Sequence, residues 1–193
     1  NERLCELRGY SLERFEKYER ERMAWAYRKF SARRRLAGTV ANEHLTAIMA
    51  HDMLTNDDVL HGANPAIAEL WRWHGVEETE HKAVAFDVFL AVGGTTAERR
   101  QALLMNTFFF FKDTRRNLAI MLQHEGKLWS LREWASGFRY LLIKPGILRR
   151  VAGSWFQFFK KDFHPWQHDN RDLIAAWERE QNVATDASTP ATR

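Results

Sequence analysis

One long helix is predicted between two strong boundary signals, and the residues it carries restrict the fold. Asn64-Pro65 provides an N-cap followed by proline at the first helical position, and Gly93-Gly94 marks the end of the helix. Within this helix Glu78 and His81 lie three residues apart. That spacing puts the two side chains about 60° apart around the axis and about 4.5 Å apart along it. Both can reach one metal ion, so the sequence predicts a helical protein with a metal site.

Helices are also predicted along most of the remaining chain. No segment shows the alternating apolar pattern of a half-buried strand. We therefore predict an all-α fold with a single helical domain over residues 1–180, a partial bundle, followed by a disordered polar tail over residues 181–193. The predicted helices cover approximately residues 11–30, 36–54, 65–92, 96–124, 129–143, 147–160 and 169–180.

The composition narrows the classes of function. The 193 residues are enough for one domain with a sizeable core, and a net charge of +4 is too small to call for a nucleic-acid partner. The lone Cys5 excludes a disulfide within the chain and is typical of a reducing compartment, so a cytoplasmic location is expected. The sequence contains no run of 18 or more apolar residues, so no membrane-spanning helix is predicted.

A second carboxylate is predicted to join the pair from another helix. Glu43 lies in the middle of an earlier predicted helix, among small and apolar neighbours, where an unpaired carboxylate is unfavourable. On the later helix His74 precedes Glu78 by one turn, so that His74, Glu78 and His81 form one stripe. The stripe is expected to face a core, because apolar residues continue it at Val84, Ala85 and Val88.

These residues match half of a known type of metal centre. Ferritin-like di-iron bundles take a Glu-x-x-His from each of two helices and a single Glu from each of two others. Glu43, Glu78 and His81 make up one such half, with His74 as the next candidate ligand. Mixed carboxylate and imidazole ligands suit iron or manganese, with zinc as an alternative. The competing interpretation is a solvated acidic face on which Glu78 pairs with Lys82, with His74 as a core histidine.

Five further side chains are candidates for supporting roles. His44 and His51 share the helix of Glu43 and are expected either to lie behind the ligands or to pack in the core. Asp87 is a candidate for orienting a histidine, or for a cap or ion pair. His164 and His168 flank a Pro-Trp turn, where they either face a substrate or act locally.

The same helix resembles the signature of a bacterial family known as the predicted metal-dependent hydrolases. Residues 71–87 read WRWHGVEETEHKAVAFD, where that family typically has Trp-His-x-x-Glu-Glu-x-Glu-His-Lys-x-Val-Ala-Phe-Asp. Two shorter stretches agree as well, EHLTA at residues 43–47 and FHPWQHD at residues 163–169. The resemblance covers most of residues 1–180. It implies a ferritin-like helical fold, a divalent metal and hydrolysis of a small-molecule substrate.

The resemblance also implies that part of the site lies elsewhere. Members of that family carry earlier helices with another Glu and a Glu-x-x-His, followed closely by a stretch like Asn-Glu-Arg-Leu. This sequence opens with Asn1-Glu2-Arg3-Leu4. It is therefore expected to be the C-terminal portion of a bundle that lacks its N-terminal helices. A homodimer that joins two half-sites is the alternative.

Three other functions stay open at this point. A buried Glu/His di-iron centre commonly manages oxygen, so an oxygenase or oxidase acting on an apolar small molecule competes with hydrolysis; the run Phe108–Phe111 is either core or the lining for such a molecule. Residues 144–161 mix basic and aromatic side chains, which suits peripheral contact with a membrane surface or a partner protein in a non-catalytic module. An inactive remnant is the third alternative.

Overall fold

In the computed structural model, which describes residues 2–188, every regular element is helical. The predicted all-α class is thus confirmed for this part of the chain. The last helix continues past the predicted end at Glu180, and residues 189–193 of the predicted tail lie outside the described part. The elements are α1 Glu2–Arg8, α2 Leu12–Lys29, α3 Ala32–Thr55, α4 Pro65–His81, α5 Val84–Ala91, α6 Thr96–His124, α7 Leu131–Leu142, α8 Ile147–Gln157, a 3-10 turn Pro165–Gln167 and α9 Arg171–Ser188.

Helix α3 is the central element, packed against α4, α5, α6 and α8. Its inward side chains are small, so neighbouring elements approach it closely and fill the space with larger side chains. Burying one phenylalanine side chain is worth about 2 kcal/mol, which makes the aromatic part of this core its main source of stability. The buried core consists of Ala37, Val40, Ala41, Phe86, Phe89, Ala102, Leu103, Phe158 and Phe163.

The boundary signals of the sequence form real caps. The side chain of Asn64 accepts a hydrogen bond from the backbone N–H of Ala66 at 3.0 Å, with Pro65 in the first turn of α4. At the start of α6 the capping residue is Thr95, one position before the predicted Thr96. Thr95 and Glu98 form a reciprocal capping box, because each side chain accepts from the other residue's backbone N–H.

The helix predicted over residues 65–92 is interrupted at Lys82 and Ala83, which separates α4 from α5. At this interruption Lys82 is 96% buried and crosses to the turn before α9. Its ammonium donates to the carbonyl oxygen of His168 at 2.5 Å and to the side chain of Asn170, and it lies 4.3 Å from the centre of the Trp166 ring. Burial lowers the pKa of Lys82 to about 8.

A buried arginine fixes the end of α8 in a similar way. The guanidinium of Arg99, on α6, donates to the carbonyl oxygens of Phe158 at 2.5 Å and Lys160 at 2.6 Å. The rings of Phe86, Phe158 and Phe163 lie within 5.6 Å of its central carbon. Burial lowers the pKa of Arg99 to about 10. These bonds satisfy carbonyls that a helix end leaves without partners.

An ion pair ties α8 to the central helix. Arg150 donates two hydrogen bonds to the carboxylate of Asp52, at 2.6 and 2.9 Å, and a third to the carbonyl oxygen of Pro145 at 2.5 Å. The side chain of Asp52 retains only 8% of its exposure. A two-point contact of this kind fixes both the distance and the rotation of α8 against α3.

No helix in the described part of the chain is long and apolar enough to cross a membrane.

We predict that Arg150→Gln lowers the free energy of unfolding by about 3 kcal/mol, because it leaves the buried carboxylate of Asp52 without its partner. Urea unfolding followed by circular dichroism measures the change. Arg149→Gln is the matched control, since Arg149 is the exposed neighbour on the same helix, and its effect should stay within about 0.5 kcal/mol. Equal stability of both variants would contradict the structural role of the ion pair.

Candidate metal centre

The stripe that carries the acid and the histidines is exposed over most of its length. His74 and His81 are exposed, and the side chain of Glu78 retains 24% of its exposure. Beyond the interruption, Val84 is 61% exposed and Val88 48%. The expectation that this stripe faces a core is therefore wrong for the described residues. The physical reason is that other residues take the inward positions, Gly75, Val76 and Thr79 on α4 and Phe86 and Phe89 on α5.

The predicted ligands nevertheless interact across two helices. Glu43 on α3 is half-buried, and its pKa is raised because burial disfavours the carboxylate and because the charge of Glu78 lies nearby. The charge of His81 acts on Glu43 in the opposite direction. On α4, Nε2 of His74 lies 3.6 Å from a carboxylate oxygen of Glu78. Glu43 thus lies within electrostatic range of Glu78 and His81, with His74 beside Glu78, but the ligand atoms of Glu43, Glu78 and His81 do not all lie within 4.8 Å of one another.

A second group of possible ligands lies on α4 alone. Glu77, Glu80 and His81 each offer one ligand atom, and these atoms all lie within 4.8 Å of one another. Glu77 is half-buried, whereas Glu80 and His81 are exposed. Glu77 and Glu80 were not predicted as ligands, because they point away from the stripe that contains Glu78. The signal was present, since Glu77 and His81 are one turn apart and Glu80 is adjacent.

The approach of α4 to α3 depends on a glycine one turn before Glu78. Gly75 is buried, and a β-carbon built on it would lie 2.7 Å from the terminal methyl of Met53 and 3.4 Å from Cγ of Leu54. A side chain at this position would need the space that α3 occupies. The missing side chain therefore allows the helix contact that brings Glu78 toward Glu43.

His44, adjacent to Glu43 in the sequence, belongs to the aromatic core. It is 95% buried, and its ring centre lies 4.5 Å from that of Phe158. Burial lowers its pKa to about 3, although a hydrogen bond to the backbone of Ser154 acts in the opposite direction. His44 is therefore a neutral packing residue.

His51 and His168 line a separate small cavity. With His44 and Lys82 they surround a space of about 30 Å³ between α3 and the turn that follows α8. The pKa of His168 is lowered by burial and by the neighbouring charges of His51 and Lys82. Nε2 of His44 and Nε2 of His168 are both buried without a hydrogen-bond partner among the described residues. This cavity is lined by imidazole and ammonium groups rather than carboxylates.

Asp87 contacts a histidine, but one outside the predicted ligand set. Nε2 of His164 lies 3.0 Å from a carboxylate oxygen of Asp87. Nδ1 of His164 accepts a hydrogen bond from the backbone N–H of Trp166 at 3.2 Å, which caps the 3-10 turn. Asp87 and His164 thus have the local roles that were the alternative to metal or substrate binding, Asp87 in an ion pair and His164 as the cap of a turn.

An apolar cavity beside α3 lies away from Glu43. It measures about 270 Å³ and is bounded by α3, α6 and α8, with Phe110 and Phe111 in its wall. The α3 residues that line it point roughly 140° to 240° away from Glu43 around the helix axis. The cavity therefore opens on the other side of α3. These lining residues are Leu45, Ile48 and Met49.

The sequence model of one protein family, described as "Predicted metal-dependent hydrolase", matches residues 1–169. The chain belongs to this family. The match confirms the resemblance seen in residues 71–87. No curated protein and no solved structure matches the chain significantly.

The donor atoms near the end of α4 fit a divalent metal, in agreement with the description of the family. Carboxylate oxygens and imidazole nitrogens are ordinary ligands for such ions. His81 belongs both to the group across α3 and α4 and to the group on α4 alone. The two groups differ because the first includes a half-buried carboxylate from another helix, whereas the second lies on α4 alone and combines the half-buried Glu77 with the exposed Glu80 and His81.

We predict that Gly75→Val destabilises the protein by about 2 kcal/mol, because a branched side chain would force α4 away from α3. Gly75→Ala is the matched control. Its single methyl meets the flexible end of Met53, and alanine favours a helix by about 1 kcal/mol over glycine, so its net effect should be close to zero. Urea unfolding of both variants measures the difference. A valine variant as stable as the wild type would show that the two helices are not in close contact here.

Proposed function

We propose that this chain belongs to a metal-dependent enzyme that hydrolyses a small-molecule substrate, with Glu43, Glu78 and His81 as metal ligands and His74 as the next candidate. The observation that supports this most is the half-buried Glu43 of α3 close to Glu78 of α4. Two carboxylates from different helices seldom share a partly buried place unless a cation balances them.

The electrostatics of the pair favour a cation. Burial and the charge of Glu78 both raise the pKa of Glu43, so the ionised pair is unfavourable as it stands. A divalent cation between the carboxylates would remove that repulsion, and the imidazole of His81 would add a neutral donor. His74, with Nε2 at 3.6 Å from Glu78, is placed to orient that carboxylate.

The exposed stripe supports a centre that further side chains complete. Trp71 is 50% exposed and Val84 61% exposed, on either side of Glu78 and His81. Large apolar side chains beside metal ligands are normally covered in a working centre. We propose that additional ligands, from a second copy or from other helices of a ferritin-like bundle, pack on this stripe and form a di-metal centre.

The chemistry of the bound metal supports hydrolysis first and oxidation second. A bound divalent ion supplies a Lewis acid and a water of lowered pKa. Iron or manganese suits the mixed donor set best, with zinc as the alternative, so oxidation of an apolar small molecule by a di-iron centre is the second candidate. The lone Cys5 supports a cytoplasmic location, and the modest net charge of +4 gives no reason to invoke nucleic acid.

We predict that Glu43→Gln and Glu78→Gln each weaken metal binding by more than about tenfold. Loss of a residue that only supports a metal ligand already lowers metal affinity by about tenfold or more, and loss of a ligand itself should cost more. Equilibrium dialysis against Fe²⁺, Mn²⁺ and Zn²⁺, with elemental analysis of the protein, measures the affinity. Circular dichroism checks that helix content is retained.

The double variant Glu77→Gln/Glu80→Gln is the control, and it should bind metal as the wild type does. The reverse outcome, in which only the double variant loses metal, would assign the ion to the surface group on α4. Unchanged metal binding in all three variants would contradict the proposed site.

We also predict that protein loaded with zinc hydrolyses small activated esters or amides in oxygen-free buffer, and that Glu78→Gln abolishes the activity together with bound metal. Zinc has no redox chemistry, so turnover under these conditions can only be hydrolytic. Strict dependence on iron and consumption of oxygen would instead favour the oxidase alternative.

A further inference from the structure

We propose that α7 docks the protein on the surface of an anionic phospholipid membrane. This contact is separate from the candidate metal centre on α3 and α4. It is carried by one face of α7, the exposed apolar stripe formed by Leu131, Ala135, Phe138 and Leu142, with two arginines along its edge.

The stripe is apolar, regular and open to solvent. Its four residues follow at spacings of four, three and four, which keeps them within an arc of about 60° on a helix. Leu131 is 85% exposed, Phe138 67% and Leu142 38%. Trp129, two residues before the helix, is 90% exposed. Neither α7 nor α8 contains a fully buried residue, although apolar side chains make up much of both.

The other side of α7 faces the protein. Nε1 of Trp134 donates to the carbonyl oxygen of Leu128 at 2.8 Å. A β-carbon built on Gly137 would lie 3.8 Å from Leu118 of α6, so this glycine faces that helix. With one side of α7 held in this way, the opposite apolar stripe has no covering element in the described chain.

Basic side chains border the stripe on one side. Arg139 and Arg132 lie about 80° and 100° from Leu131 around the axis, next to the apolar arc. Among the described residues, no carboxylate lies within 4.0 Å of either guanidinium. Glu133 lies about 160° from Leu131, on the far side, and pairs with Lys127 at 3.7 Å. Both arginines are therefore available for an external anion.

The whole segment around α7 is positively charged, like the two arginines. Residues 127–161 contain eight Lys or Arg and a single acidic residue, Glu133, which gives a net charge of +7. Because the whole chain has a net charge of +4, the remaining residues carry −3. The segment that contains α7 and α8 is thus strongly positive; residues 1–35 are positive as well, with eleven Lys or Arg and six Glu, a net charge of +5. The exposed stripe of α4 lacks such a border and instead contains Glu78 and His81.

An anionic bilayer matches this combination better than water or a neutral surface. Apolar side chains of a surface helix enter the boundary between headgroups and acyl chains, while arginines reach the phosphates. Twelve residues make α7 about 18 Å long, which suits a helix lying along the surface. Each cation near an anionic surface contributes about 1 kcal/mol, so the two bordering arginines should matter measurably.

Vesicle flotation with the full chain tests the proposal. Vesicles of pure phosphatidylcholine are compared with vesicles that contain about 30% phosphatidylglycerol, at about 0.15 M and about 0.5 M salt. We expect binding to the anionic vesicles alone, and release at the higher salt concentration. Arg132→Gln/Arg139→Gln should weaken binding about 30-fold, which is about 1 kcal/mol for each arginine. Leu131→Asn/Phe138→Asn should also weaken it.

Matched controls come from exposed residues of α1 and α2. Lys17→Gln/Arg28→Gln removes the same charge, and Leu7→Asn/Met23→Asn removes comparable exposed apolar surface; both should bind vesicles as the wild type does. Glu78→Gln should also bind normally, which separates this proposal from the metal centre. Absence of binding to anionic vesicles, or equal loss in the controls, would overturn it. So would light scattering that shows a dimer converted to a monomer by Leu131→Asn/Phe138→Asn, because a second copy would then cover the stripe.

Discussion

Close packing of α4 against α3 is the contact on which the candidate centre depends. Gly75 leaves the space that Met53 fills, and this brings the carboxylate of one helix near an acid and an imidazole of the next. The contact has an electrostatic cost, because burial and the charge of Glu78 both raise the pKa of Glu43. Packing between uncharged surfaces of the two helices holds the acids together despite this repulsion. The metal site that we propose uses this arrangement, because a bound cation would remove the repulsion between the two acids.

Three buried or partly buried cations fasten the second half of the chain to the first. Lys82 binds the carbonyl oxygen of His168, Arg99 binds those of Phe158 and Lys160, and Arg150 binds that of Pro145. In each case a charged side chain meets backbone oxygens in or near a turn. Since turns leave carbonyls unpaired, a cation that reaches them gives the buried carbonyl a donor and the buried charge an acceptor. Together with the ion pair of Arg150 and Asp52, these bonds fix residues 145–170 on α3, on the junction of α4 and α5, and on α6.

Helix positions could be predicted from the sequence because their signals are local. Asn64 and Pro65 act within one turn, and the capping box at Thr95 and Glu98 acts within three residues. The break at Lys82 could not be predicted in this way, because its partners lie 86 and 88 positions further along the chain. Local pattern alone makes residues 65–92 a continuous helix.

The candidate site shows the same division. The spacing of Glu78 and His81 and the mid-helix position of Glu43 were enough to predict these residues as ligands, and that assignment stays a prediction. The exposure of the stripe on α4 could not be predicted, because the helical period shows which residues share a face but not whether another element covers that face. The role of His44 was left open because the alternative depended on Phe158, which is distant in the sequence and 4.5 Å away in space.

The interruption after His81 has an electrostatic consequence for whatever binds there. A helix that ran on to Val92 would place the negative pole of its peptide dipoles at that later residue. Because α4 stops at His81, the negative pole falls beside the imidazole. Such a pole attracts a cation by roughly 0.3–1 kcal/mol. The backbone itself thereby favours positive charge at this end of α4.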